Sequence, residues 1–145
     1  SISNALDFGA GLFSLNAVDG WRKVIDVSGD GPNNIGRKVT DARDAAVAQG
    51  IVVNGLPILI SPTRSFRDLD RYYADCVIGG PGSFMLPVNE VAEFTDAIRR
   101  KLILEIGARE PELKAIPVAV DAPIDCGKGE RDRRFQRGIN VPPPG

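Results

Sequence analysis

The chain has no histidine among its 145 residues. That absence removes the commonest general base, the usual partner of a serine or cysteine nucleophile, and the commonest metal ligand. Cysteine is scarce too: Cys76 and Cys126 lie far apart and form no metal-spaced motif. Two readings of the pair stand open, a disulfide made in an oxidising compartment or two unrelated thiols. Neither sign of charge is in excess. With 18 basic and 19 acidic residues the formal net charge is -1, which lacks the basic footprint of a nucleic-acid binder. No apolar run approaches the roughly 20 residues that a membrane-spanning helix needs. What is left, 43% apolar and 26% charged residues over a single-domain length, is ordinary globular composition.

The sequence is organised around Val24-Ile25-Asp26-Val27-Ser28-Gly29-Asp30-Gly31-Pro32-Asn33-Asn34. A short apolar run leads into small, acidic and amide residues. Helix formers follow between Arg37 and Gln49, and then a second apolar run, Ile51-Val52-Val53. Strand, polar loop, helix and strand in that order make a βαβ unit of a parallel sheet. Ligands of such sheets bind at the loops that leave the carboxyl ends of the strands, where Asp30 sits.

On the amino-terminal side of this unit, Ile2, Leu6, Ala10 and Phe13 recur at helical spacing, with Ser1 or Ser3 as the cap and an end near Asn16. Trp21 to Val27 reads as the first strand, its core covered on both faces by helices. Val39, Ala42, Ala45 and Ala46 form the apolar stripe of the next helix, with Arg37, Asp41 and Asp44 toward water and Gly50 as its stop. Ile51 to Ile60 is a second strand whose regular part ends at Pro57, unless it lies at an edge. Ser61 to Arg67 reads as a loop, and Leu69, Tyr72, Tyr73 and Cys76 as one or two helical turns. Gly79-Gly80-Pro81-Gly82 is a corner and Phe84-Met85-Leu86 a short third strand. Val91, Phe94, Ile98, Leu102 and Ile106 trace one face of a long helix, and Ile116 to Val120 reads as a strand. Residues 108–145 read as an extended tail that becomes ordered by docking, and its arginines, Arg131, Arg133, Arg134 and Arg137, are diluted by Glu130 and Asp132.

Asp26, Ser28 and Asp30 are the candidate metal-site residues, because carboxylate and hydroxyl oxygens suit Mg²⁺, Ca²⁺ or Mn²⁺. Counted from Asp26 an EF-hand loop fails, since Arg37 occupies the position of its closing glutamate. The bland alternative is a hydrogen-bonded acid at Asp26 followed by a plain turn. A phosphate cradle at Gly29-Asp30-Gly31 is disfavoured by the acid between its glycines. Tyr72 and Tyr73 read as packing, and nothing near Ser1 argues for an activated nucleophile.

The segments Arg22 to Asn34, Asn54-Gly55-Leu56-Pro57-Ile58, Tyr72 to Phe84 and Ala97-Ile98-Arg99-Arg100-Lys101-Leu102 together resemble a bacterial family of von Willebrand factor type A-like proteins (domain of unknown function 1194). The resemblance covers roughly Ser1 to Gly107. It implies an α/β fold, a doubly wound, mostly parallel, Rossmann-like sheet of type A, with residues 1–107 as the carboxyl-terminal portion of the domain. Type A domains resemble one another in a metal-ion-dependent adhesion site built from three loops. Gly29-Asp30-Gly31 matches the third, so Asp30 carries over as a metal residue, and Asp26 and Ser28 remain weaker candidates. Ser1 to Leu6 matches the stretch after the second loop, which leads us to expect a truncated chain with the first two loops upstream. The function implied is protein binding assisted by Mg²⁺ or a similar ion, without enzymatic turnover, in a periplasmic or secreted bacterial protein. A structural subunit that docks through its tail on other chains, and a metal-assisted hydrolase using Asp26 and Asp30, are the alternatives.

Overall fold

Two apolar runs, Lys23–Gly29 (β1) and Ile51–Pro57 (β2), lie side by side in a computed structural model that describes residues 1–16, 18, 20–60, 68–106 and 124–139. They pair in parallel, with Lys23 opposite Ile51 and Gly29 opposite Pro57. A parallel pair needs a crossover. Ile2–Leu15 (α1) precedes the pair, and Val39–Ala48 (α2) supplies the crossover between its strands. Ser1 caps α1 by accepting from the Asn4 amide at 3.3 Å.

The predicted stripes pack as read. Leu6 and Ala10 of α1 are buried with Val39, Ala42 and Ala46 of α2, and Ile2 and Phe13 pack at the margin. Ala45 is half-buried, Arg37, Asp41 and Asp44 are exposed, and Gly50, in the left-handed region at φ 75°, stops the helix. Ile51 and Val53 face this cluster, whereas Leu56, on the alternate face of β2, packs with Val88 and Ile98. Leu69–Tyr72 (α3) runs on into a π-helical turn, Tyr73–Val77, which buries Tyr72, Tyr73, Cys76 and Val77. Ile98 belongs to Val91–Ile106 (α4), so helices lie on both faces of β2 and the fold is mixed α/β.

After the π-helical turn the chain bends at Gly80 and Gly82 and returns along the free edge of β2. There Gly55 donates to the Phe84 carbonyl at 3.0 Å and accepts from Leu86 at 3.0 Å, and Val88 donates to Pro57 at 2.9 Å. These contacts are isolated bridges at Met85 and Val88, where the sequence suggested a strand over Phe84 to Leu86.

Four expectations need correction. The first strand starts at Lys23, and Trp21 is fully exposed. Only Val27 of β1 is buried, because among the described residues β2 is its sole partner and its other edge is uncovered. Leu102 is 46% exposed, while Ile98 reaches the core. The tail is not extended throughout: Lys128–Ile139 (α5) is a helix folded back on the domain. The loop at 61–67, the strand at 116–120 and the rest of the tail lie outside the described residues.

Candidate functional site at the carboxyl end of β1

Alternation along β1 turns Asp26 and Ser28 to the same side of the strand, and Asp30 follows directly in the loop that leaves it. All three are exposed, and all three line one cleft of about 420 Å³. Ser1 and Ile2 of the α1 start and Tyr73 of the π-helical turn also line it. Among the described residues, two carboxylates and no basic side chain line it. The cleft therefore favours a cation or a hydrogen-bond donor.

The acids are not equivalent. Asp26 accepts from Asn54 Nδ2 at 3.4 Å, and the buried Asn54 uses its Oδ1 to accept from the Phe84 amide at 3.2 Å. Asn54 thus ties Asp26 to the segment beyond β2. The hydroxyl of Ser1 is likewise engaged, donating to the Ile35 carbonyl at 2.6 Å. Among the described residues no group of three acidic or thiol side chains is placed to hold a metal ion. The donors present suit a hard cation in kind and fall short of the six or so oxygens that it takes.

Tyr73 is the unforeseen member. Its ring lies so near two glycines that a Cβ at Gly29 would stand 2.7 Å from its hydroxyl and one at Gly55 2.8 Å from its Cδ1. The hydroxyl is buried with no hydrogen-bond partner among the described residues. Burial, then Tyr72, then Asp30 push its pKa well above the usual phenol value, so it stays a neutral donor below the loop.

Asn33 is the other residue that the sequence reading passed over, and it is fully buried. Its Oδ1 accepts from the Ser3 amide at 2.9 Å, joining the loop to α1. Its Nδ2 donates to the Arg37 carbonyl at 3.1 Å and to Glu130 Oε1 of α5 at 2.7 Å. Its own amide donates to the Tyr72 hydroxyl at 3.1 Å. Burial pushes the Tyr72 pKa up to about 12, offset in part by this Asn33 bond and reinforced by Glu130. One residue therefore fixes the Gly29 to Asn34 loop to three other elements.

Cys76 and Cys126 form a disulfide with Cα atoms 5.6 Å apart, which settles the open choice between a bridge and two thiols. It fastens the start of α5 to the π-helical turn. No described helix is long and apolar enough to cross a membrane.

Neither a curated protein nor a solved structure matches the chain. A family model does, over residues 1–110, and the chain thus belongs to the family described as protein of unknown function (DUF1194).

Proposed function

We propose that the cleft at the carboxyl end of β1 is a ligand site, and that the chain acts as a protein-binding module of von Willebrand factor type A. On this reading β1, β2 and their helices are part of a doubly wound, Rossmann-like sheet. The observation that carries it is the gathering of Asp26, Ser28 and Asp30 around one acidic cleft beside a parallel strand. A divalent ion, Mg²⁺ in the first instance, would supply positive charge there and so attract an acidic group on the partner. Asp30 is the residue placed to hold it, and Ser28 adds a neutral oxygen. The remaining oxygens would come from water and from the ligand. Asp26, already bonded to Asn54, orients the strand end more than it binds.

Binding without turnover is the reading we prefer for these residues, and a hydrolase using Asp26 and Asp30 is the alternative. Among the described residues, the acid–base side chains lining the cleft are Asp26, Asp30 and Tyr73, and the last is held neutral. Docking through the tail is the weaker reading, since Glu130 of α5 is already bonded within the chain. The disulfide favours an extracytoplasmic setting, periplasmic or secreted, because such bonds persist in oxidising compartments.

Calorimetric titration with Mg²⁺ tests the proposal. Binding that is present in the parent chain and abolished in Asp30→Asn, with Asp26→Asn weakened far less, is the expected result. A parent chain without Mg²⁺ binding, or an Asp30→Asn variant that binds as well as the parent, overturns it.

A further inference from the structure

A small set of contacts among the described residues attaches the segment from Ile124 through α5 to the domain. Cys126 is bonded to Cys76, across a sequence separation of 50. Gly129 is buried so closely against the Pro32–Asn33 turn that a Cβ there would overlap the Asn33 carbonyl oxygen. Glu130 accepts from Asn33 Nδ2 at 2.7 Å, and Ile124 packs at the margin of the core. Two ion pairs, Lys128 with Asp132 and Arg131 with Asp125, lie inside the segment and so do not anchor it. Docking also carries a cost. Glu130 Oε2 is buried with no partner among the described residues, and a carboxylate oxygen in that state gains water when the helix leaves.

We infer that the Cys76–Cys126 disulfide is a redox latch on the loop that carries Asp30. Closed, it keeps α5 against Pro32 and Asn33, and Asn33 in turn holds the loop to α1 and Tyr72. Opened, it leaves the close packing of Gly129, the marginal contact of Ile124 and the charged hydrogen bond of Glu130 weighed against that residue's own orphaned oxygen. The helix then undocks, and Asn33 Nδ2 loses its strongest acceptor. The consequence for ligand binding rests on the cleft being the ligand site; the latch itself does not.

Reduction by a dithiol balances simply. Cys76 is fully buried and Cys126 only partly, so a thiolate of the dithiol attacks Cys126 Sγ. The S–S bond breaks, and Cys76 leaves as thiolate and takes up a proton. The second thiol of the reductant then attacks the mixed disulfide and releases Cys126, which is protonated in turn. Two electrons pass to the protein and the dithiol ends as a disulfide.

Amide hydrogen exchange on the whole chain, oxidised and then reduced with dithiothreitol, tests the latch. The Asn33 and Ser3 amides are expected to exchange roughly tenfold faster or more on reduction, with Val53 and Gly55 of β2 unchanged. The double variant Cys76→Ser, Cys126→Ser should behave as the reduced chain, and oxidised Glu130→Ala should speed Asn33 alone. Equal exchange in both redox states overturns the latch. So does acceleration that includes β2, which would make the bond a staple of the whole fold. A parallel Mg²⁺ titration separates the two proposals. Weaker Mg²⁺ binding on reduction extends the latch to the cleft, whereas a chain that binds none in either state fails the cleft reading and leaves exchange to decide the latch.

Discussion

Asn33→Asp is the sharpest perturbation of this molecule, because it changes one atom's chemistry at nearly constant volume. The retained Oδ1 still accepts from the Ser3 amide. The atom that was Nδ2, however, becomes an oxygen facing two acceptors, the Arg37 carbonyl at 3.1 Å and Glu130 Oε1 at 2.7 Å. A neutral bond of about 1 kcal/mol and a charged one of about 2 kcal/mol are lost, and two acceptors are left unmatched in a buried place. The sum is at least ~4 kcal/mol, a large share of the ~5–15 kcal/mol that holds a domain of this size. In melting temperature that is roughly a 10 °C fall. Asn33→Ala should cost a comparable amount through lost bonds and a small cavity, but its cost should depend less on pH, since it sets no second acid beside Glu130. The aspartate variant differs here. In mild acid one proton shared between the introduced carboxylate and Glu130 restores a hydrogen bond. The folded variant then keeps a proton that the unfolded chain has released, so its stability rises relative to Asn33→Ala as pH falls from about 7 toward 5. Urea unfolding followed by circular dichroism, with the disulfide intact, measures both. An aspartate variant within about 1 kcal/mol of the parent at neutral pH, or one whose deficit ignores pH, would refute the assigned network.

Two further outcomes follow from the tyrosines, the only two in the chain. Tyr73→Phe removes a buried hydroxyl without a hydrogen-bond partner among the described residues, so stability should be unchanged or raised by up to about 1 kcal/mol. A loss above that in urea unfolding would mean a hidden partner. In alkali, Tyr72 is pushed up to about 12 and Tyr73 is raised further, so the folded chain keeps protons that an unfolded one gives up near a pH of about 10. Stability should therefore be flat below pH ~10 and fall between ~10 and ~12, with phenolate absorbance appearing only as the chain unfolds. Ordinary phenol titration in the folded state would contradict the burial of both rings.

Periodicity made the helices legible because burial imposes it. Leu6 and Ala10, and Val39, Ala42 and Ala46, are spaced as they are because one face of each helix must leave water. Strand order was legible for a similar reason, since a helix between two apolar runs leaves parallel pairing as the natural closure. What periodicity does not encode is the neighbour of a strand. Val24 and Ile25 look the same in sequence whether both sides of β1 are covered or one edge is bare, so its half-exposed state and the exposure of Trp21 are properties of the fold that the sequence does not encode locally. The helix α5 was hidden differently. Its first two turns, Lys128 to Arg133, carry charge almost all round, and such a segment reads as solvated chain unless its few anchors are known.

One of those anchors, Glu130, bonds to Asn33, the residue that escaped in the site, and both were hidden for one physical reason. Asp30 could be placed at the cleft because a carboxylate directly after a parallel strand stands out in the sequence. Asn33, three residues on, looks like any turn amide. Its role depends on four partners spread from Ser3 to Glu130, and no spacing rule links those positions. Gly29 was likewise read as turn chemistry, while the constraint on it is the hydroxyl of Tyr73 pressing from another element. Hydrogen bonds between distant segments do not repeat along a chain. A sequence therefore exposes a lone acid at a strand end sooner than the amide that holds the acid's loop in place. The disulfide joins the two problems, for it brings α5, and with it Glu130, to the one side chain on which that loop depends.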